Sequence, residues 1–180
     1  MIERAPSTSN LAMDSDRQAF LGTHRAQSVA GREFTRFSEG LVSAAKQAAT
    51  QAGIEAPTTR LSPDRCIVQL GPVALTVMYM RHGADLPVGG QLLAIFWRGT
   101  IAQRGDHIPE RLGARKVPTP PVQIAEETYV VSADNEASWH WHPKSTDDTG
   151  FTSPELAGRC IEQLCAALAE TPATPADITA

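Results

Sequence analysis

A chain of 180 residues that is 42% apolar and 20% charged has the size and composition of one globular core. Its net charge of −4 works against general nucleic-acid binding, which needs a positive field facing the phosphates. The longest wholly apolar run, residues 92–97, is far too short to cross a bilayer, so no membrane role is expected.

Residues 1–27 are rich in Ser, Thr, Asn and Asp, and this predicts a flexible tail in which Leu11, Met13, Phe20 and Leu21 could form a short docking helix. Residues 171–180 are low in bulk and broken by proline, a second tail. Residues 28–170 are then a single α+β domain. The start, Met1 to Pro6, has no basic stretch leading into an apolar one, so no secretory leader is expected. The three cysteines, Cys66, Cys160 and Cys165, are odd in number and lack the Cys-x-x-Cys spacing, which suits a reducing cytoplasm and packing roles.

The first helix is predicted over residues 31–53, where Phe34, Phe37, Leu41, Ala45 and Ala48 recur at three- and four-residue steps. Gly53 suits the left-handed residue that closes it. Strands follow. Residues 66–70 are β-rich, and Gly71-Pro72 marks the break after them. Residues 73–81 alternate, with Val73, Leu75, Val77 and Tyr79 on one face and Ala74, Thr76, Met78 and Met80 on the other. A loop over residues 83–90 carries Pro87 and the Gly89-Gly90 pair. The next strand runs from Gln91 to about Ala102 and is apolar on both faces through Trp97. Residues 122–132 and 138–142 make a last hairpin around Asp134-Asn135. The closing helix opens with Ser153 as N-cap, Pro154 in the first turn and Glu155 at the positive end of the dipole. Leu156, Cys160, Ile161, Leu164, Cys165 and Leu168 form its buried stripe.

The predicted architecture is α+β: an N-terminal helix, an antiparallel meander of about five strands and a C-terminal helix, both helices on one sheet face. Two of the strands are apolar on both sides, so something must cover the second face: a second subunit, curvature around a pocket, or a partner's chain.

Candidate sites follow from this plan. Met78, Met80 and Phe96, with Tyr79 and Trp97 beside them, offer an adaptable apolar binding surface. In Trp139-His140-Trp141-His142 the imidazoles share one face and the indoles the other. His140 and His142 are spaced for one metal ion, yet a metal site needs further ligands. The other histidines, His24, His82 and His107, fall in the tail or in predicted loops, so no metal is expected and the pair is read as polar binding contacts. Residues 103–121 make a long link of the kind that is often functional. Arg98, Arg104, Arg111, Arg115 and Lys116 give this stretch a basic excess over Asp106 and Glu110, able to meet a phosphate or an acidic chain. Catalytic chemistry has little foothold. Glu126 and Glu127 point to opposite faces, no Gly-x-Ser-x-Gly elbow exists, and Gly89-Gly90 opens a strand rather than a helix. No catalytic residue and no cofactor is expected.

The order of elements over residues 31–168 is similar to that of the small dimeric chaperones that escort type III secretion effectors: helix, three strands, a connecting helix, two strands and a closing helix. Here the 103–121 link is basic and proline-rich where that family has its connecting helix. The resemblance implies binding rather than catalysis. The leading expectation is thus a cytoplasmic, non-enzymatic adaptor or chaperone-like small protein of bacterial type, a homodimer that holds a partner chain on an apolar sheet face. Two alternatives stand beside it. One is a small-ligand binder or minor enzyme with a pocket between the sheet and the C-terminal helix. The other is a nucleic-acid accessory factor using the 98–116 loop.

Overall fold

In the computed structural model, residues 19–81, 85–101, 120–145 and 149–171 are described. Helix α1 spans His24–Ala52. It begins seven residues earlier than the apolar stripe alone predicts, because Thr23 caps it and Ala26, Val29 and Ala30 extend the stripe backwards. The Thr23 side chain accepts the Ala26 N–H at 3.1 Å. At the other end Gly53 is left-handed, and the Ile54 N–H reaches back to the Ala49 carbonyl at 3.1 Å.

Six strands follow in an antiparallel meander: β1 (Thr58–Ser62), β2 (Arg65–Leu70), β3 (Val73–Met80), β4 (Gln91–Arg98), β5 (Val122–Ser132) and β6 (His140–Pro143). The sequence pattern predicts about five. β1 was missed because Thr58 to Ser62 is short and mostly exposed, so it shows no apolar alternation. Four strands rather than three therefore precede the link over residues 103–121. Between β4 and β5 the register shifts at Phe96/Trp97, so that Phe96 pairs with Ala125 and Trp97 with Gln123, leaving Ile124 as the extra residue of a bulge. Phe151 then bridges back to Trp141 with two 2.8 Å backbone bonds and closes part of the β6 edge.

Helix α2 (Ser153–Ala169) closes the fold. Its cap is Thr152 rather than Ser153: the Thr152 N–H and hydroxyl both donate to the Glu155 carboxylate at 2.8 Å. That contact holds Glu155 below the usual carboxylate range. Both helices lie on one sheet face and cross closely at Gly40, where an added Cβ would stand 3.0 Å from that of Ala157. The core between helices and sheet contains Phe34, Phe37 and Leu41 from α1, Val68, Leu75, Leu92, Phe96, Tyr129 and Trp141 from the sheet, and Leu156 and Leu164 from α2. Among the described residues no helix is long and apolar enough to cross a membrane.

Candidate functional site

Strand pairing assigns every β residue to a face. Cys66, Val68, Leu75, Val77, Leu92, Ala94, Phe96, Tyr129, Val131 and Trp141 point at the helices and are buried. The alternate residues make the outer face. Down its centre run Ile67, Thr76, Met78, Leu93, Ile95, Trp97 and Val130, all half-buried. Cross-strand pairs Thr76–Ile95 and Met78–Leu93 knit the middle of this stripe. The Trp97 indole N–H donates to the Thr76 hydroxyl at 3.2 Å, so its one polar group is already satisfied within the face. No described helix or strand lies over it, and residues 99–101 turn back against one end, where the Ile101 N–H donates to the Gln69 side chain at 3.1 Å and Ala74 is fully buried.

Met78 and Met80 belong to this outer face, as their alternation predicts. Phe96 does not. It is 1% exposed and points into the helix-facing core, because strand β4 puts Phe96 and Trp97 on opposite sides. Grouping it with the methionines fails on that parity; Ile95, Leu93 and Trp97 are the β4 residues that share their face. Arg104, Arg111 and Arg115 lie outside the described residues, and Arg98 is exposed at the end of β4.

His140 and His142 sit on the outer face of β6, opposite Ser132 and Val130. His140 Nδ1 lies 3.0 Å from the Ser138 carbonyl, which assigns that nitrogen the proton. The His142 ring packs on Gly150 and leaves no room for a Cβ there. Among the described residues no three or more His, Cys, Asp and Glu side chains gather as a metal site.

One polar cluster forms only through the fold. The Trp141 indole N–H donates to Ser153 Oγ at 3.0 Å, and Ser153 donates to the Glu33 carboxylate at 2.7 Å. Arg36 donates to the other Glu33 oxygen at 2.8 Å. The relay ties β6 and both helices together inside the core, and the neighbouring Trp139 indole N–H is buried without a partner among the described residues. Ser153 is 1% exposed and its proton faces a carboxylate with no histidine between them. Held between the indole and the carboxylate with almost no exposure, the hydroxyl has the arrangement of a structural tether. Glu33 in the helix stripe was the available signal: a carboxylate on a buried face requires a partner.

Glu127 is another polar group on the helix side. It accepts from the Tyr129 hydroxyl and, at 3.3 Å, from Gln163 of α2. Burial holds the Tyr129 phenol well above its usual value. Leu156, Cys160, Ile161 and Leu164 fill the space between α2 and the sheet, each 0–4% exposed. Cavities that open to solvent include one of about 430 Å³ at the first turn of α2, lined by Glu33, Glu136, Trp139 and Ser153, and two others along α1 and beneath the 85–90 loop. No family model matches the chain, and no curated protein or solved structure matches it either.

Proposed function

We propose that this chain is a non-enzymatic, cytoplasmic binding protein whose outer sheet face holds a partner protein, the first such partner being a second copy of itself. One observation carries the reading: an apolar stripe from Ile67 through Met78, Leu93 and Ile95 to Trp97 runs down a sheet face that no described helix or strand covers. Contiguous apolar surface of this kind marks an interaction site. The size agrees. With strands about 4.8 Å apart and roughly 3.3 Å per residue, the face measures about 24 by 26 Å, or some 600 Å² per copy. Two copies would bury about 1,200 Å², the lower bound of a specific interface. Sheets packed face to face in this way cross at about −30°. The three free thiols favour a reducing compartment.

Neighbouring residues of one strand make the test. Ile95→Asp should leave the circular dichroism spectrum and melting temperature near wild type and abolish association on size exclusion. Phe96→Asp should unfold the chain. If Ile95→Asp associates as wild type does, the outer face is not the interface.

A further inference from the structure

Where β3 runs into the 85–90 loop, two hollows meet. One, of about 250 Å³, is sunk between the start of α1 and the loop, with Leu21, Ala26, Ala30, Leu86 and Val88 in its walls. The other, of about 710 Å³, is an open trough along the outer side of α1 from His24 past Arg32 and Arg36 to Glu39. Gln27 and Arg81 line both, which makes them one continuous groove with an apolar end and a basic run.

Arg81 stands at the junction. Its guanidinium lies over the Tyr79 ring, 5.4 Å from the centroid, and 3.4 Å from the Pro63 carbonyl. Among the described residues it meets no carboxylate. Arg32 and Arg36 each spend one nitrogen on a carboxylate, of Glu136 and Glu33, while their side chains stay 67% and 64% exposed. A guanidinium has five N–H donors, so each keeps several for a ligand. The trough thus offers three arginines against one lining carboxylate, Glu39.

We propose that this groove binds an acidic peptide segment bearing one bulky apolar side chain. The side chain fills the hollow beside Val88, a carboxylate meets Arg81 at the junction, and further carboxylates follow Arg32 and Arg36 along the helix. Dimensions select a peptide. The 250 Å³ hollow suits a single side chain, and the trough beside it lies open along its length where a small-molecule pocket would enclose its ligand. From residue 24 to residue 39 the helix rises about 22 Å, the span of about six or seven extended residues. A single nucleic-acid strand finds less here, because its bases need aromatic platforms. Tyr79 is already stacked on Phe34 at 5.8 Å and capped by Arg81. This site is separate from the outer sheet face and does not depend on it.

Fluorescence anisotropy on the full chain tests the proposal, using a labelled peptide of about seven residues, all glutamate except one leucine next to an end. Saturable binding that weakens as salt is raised is expected. Arg81→Glu should weaken it by roughly tenfold or more and Val88→Asp by several-fold, both with wild-type melting temperatures because both side chains are exposed. Ile95→Asp should bind the peptide as wild type does, so loss of the sheet interface and loss of the groove read out separately. Equal binding of the leucine-free glutamate peptide would overturn the proposal, as would an unchanged affinity in Arg81→Glu or no saturable binding at all. Tighter binding of an oligouridylate of similar length would reassign the groove to phosphates and overturn it too.

Discussion

Phe96 and Trp97 are neighbours in one strand and live in different environments. Phe96 is sealed at 1% exposure beneath two helices, whereas Trp97 lies half-buried on a face that no described helix or strand covers. The difference extends across the sheet. The helix side carries the large residues Tyr129, Trp141 and Leu75, interdigitated with Phe34, Phe37 and Leu164. The outer side mixes Ile67, Met78 and Ile95 with Thr76, Glu126, Thr128 and the two imidazoles. A core excludes water with close-fitting rings and branched side chains. The outer side has an apolar centre and a polar rim, the layout on which the proposed docking rests.

Truncation on the two sides should separate them most. Phe96→Ala should cost about 3–5 kcal/mol, the loss of a fully buried ring, while Ile95→Ala one position earlier should cost no more than about 1 kcal/mol. Urea unfolding of the two variants checks this, and equal losses would dissolve the distinction between the faces.

A backbone test comes next. Gly90 enters β4 at φ 80°, and a Cβ there would stand 2.5 Å from the Met80 carbonyl oxygen. Gly90→Ala should therefore cost about 1–3 kcal/mol, read by the same unfolding measurement, and more if the strand start has to shift. Of similar or smaller size is the core tether. Ser153→Ala leaves both the Trp141 N–H and a Glu33 oxygen without their partner, a loss of about 1–3 kcal/mol. Adding Glu33→Gln to it should cost less than the sum of the two single changes, because the residues act as one network.

Thiol chemistry sharpens the same contrast without altering stability. Burial pushes the Cys66 thiol up to about 11, partly offset by the Ser38 hydroxyl beside it. Cys160, wholly within the core, is raised further still. Cys165 is half-buried at the rim of α2 and is raised as well, by burial and by Glu162. At neutral pH a thiol reagent should label Cys165 first, and Cys66 and Cys160 only as the protein unfolds. Fast labelling of Cys160 would mean that α2 detaches from the sheet.

The smallest effect is expected in acid. Hydrogen bonds from Arg25 and Arg32 hold Glu136 below its ordinary value of 4.5, and the Thr152 N–H and hydroxyl do the same for Glu155. A carboxyl depressed in the folded state adds stability that is complete above its unfolded value and vanishes as pH falls through the folded one. The melting temperature should thus drop below about pH 4.5, and Glu136→Gln and Glu155→Gln should each flatten that drop slightly.

Much of the fold was legible because strong periodicity has few solutions. The α1 stripe, the alternation of Val73 to Met80 and the Pro154–Glu155 helix start each correspond to an observed element. What escaped was weakly patterned or decided by tertiary contact. Thr58 to Ser62 pairs with β2 along a mostly exposed edge, so its residues carry no apolar signature. Ser153 reads as a helix cap on local grounds, yet burial against Glu33 hands the cap to Thr152. Closeness of strands groups Phe96 with Met78, although the two-residue period sends them to opposite faces. The α1 groove gave no linear signal at all, since Arg32, Arg36 and Arg81 meet only through the fold.

Light scattering of the purified chain across a wide range of concentration tests the central claim most directly. A mass that rises toward twice 19.3 kDa with concentration, and stays at the single-chain value in Ile95→Asp, is the result predicted for an outer face that pairs with a second copy. A wild-type mass fixed at 19.3 kDa up to the highest concentration reached would contradict it.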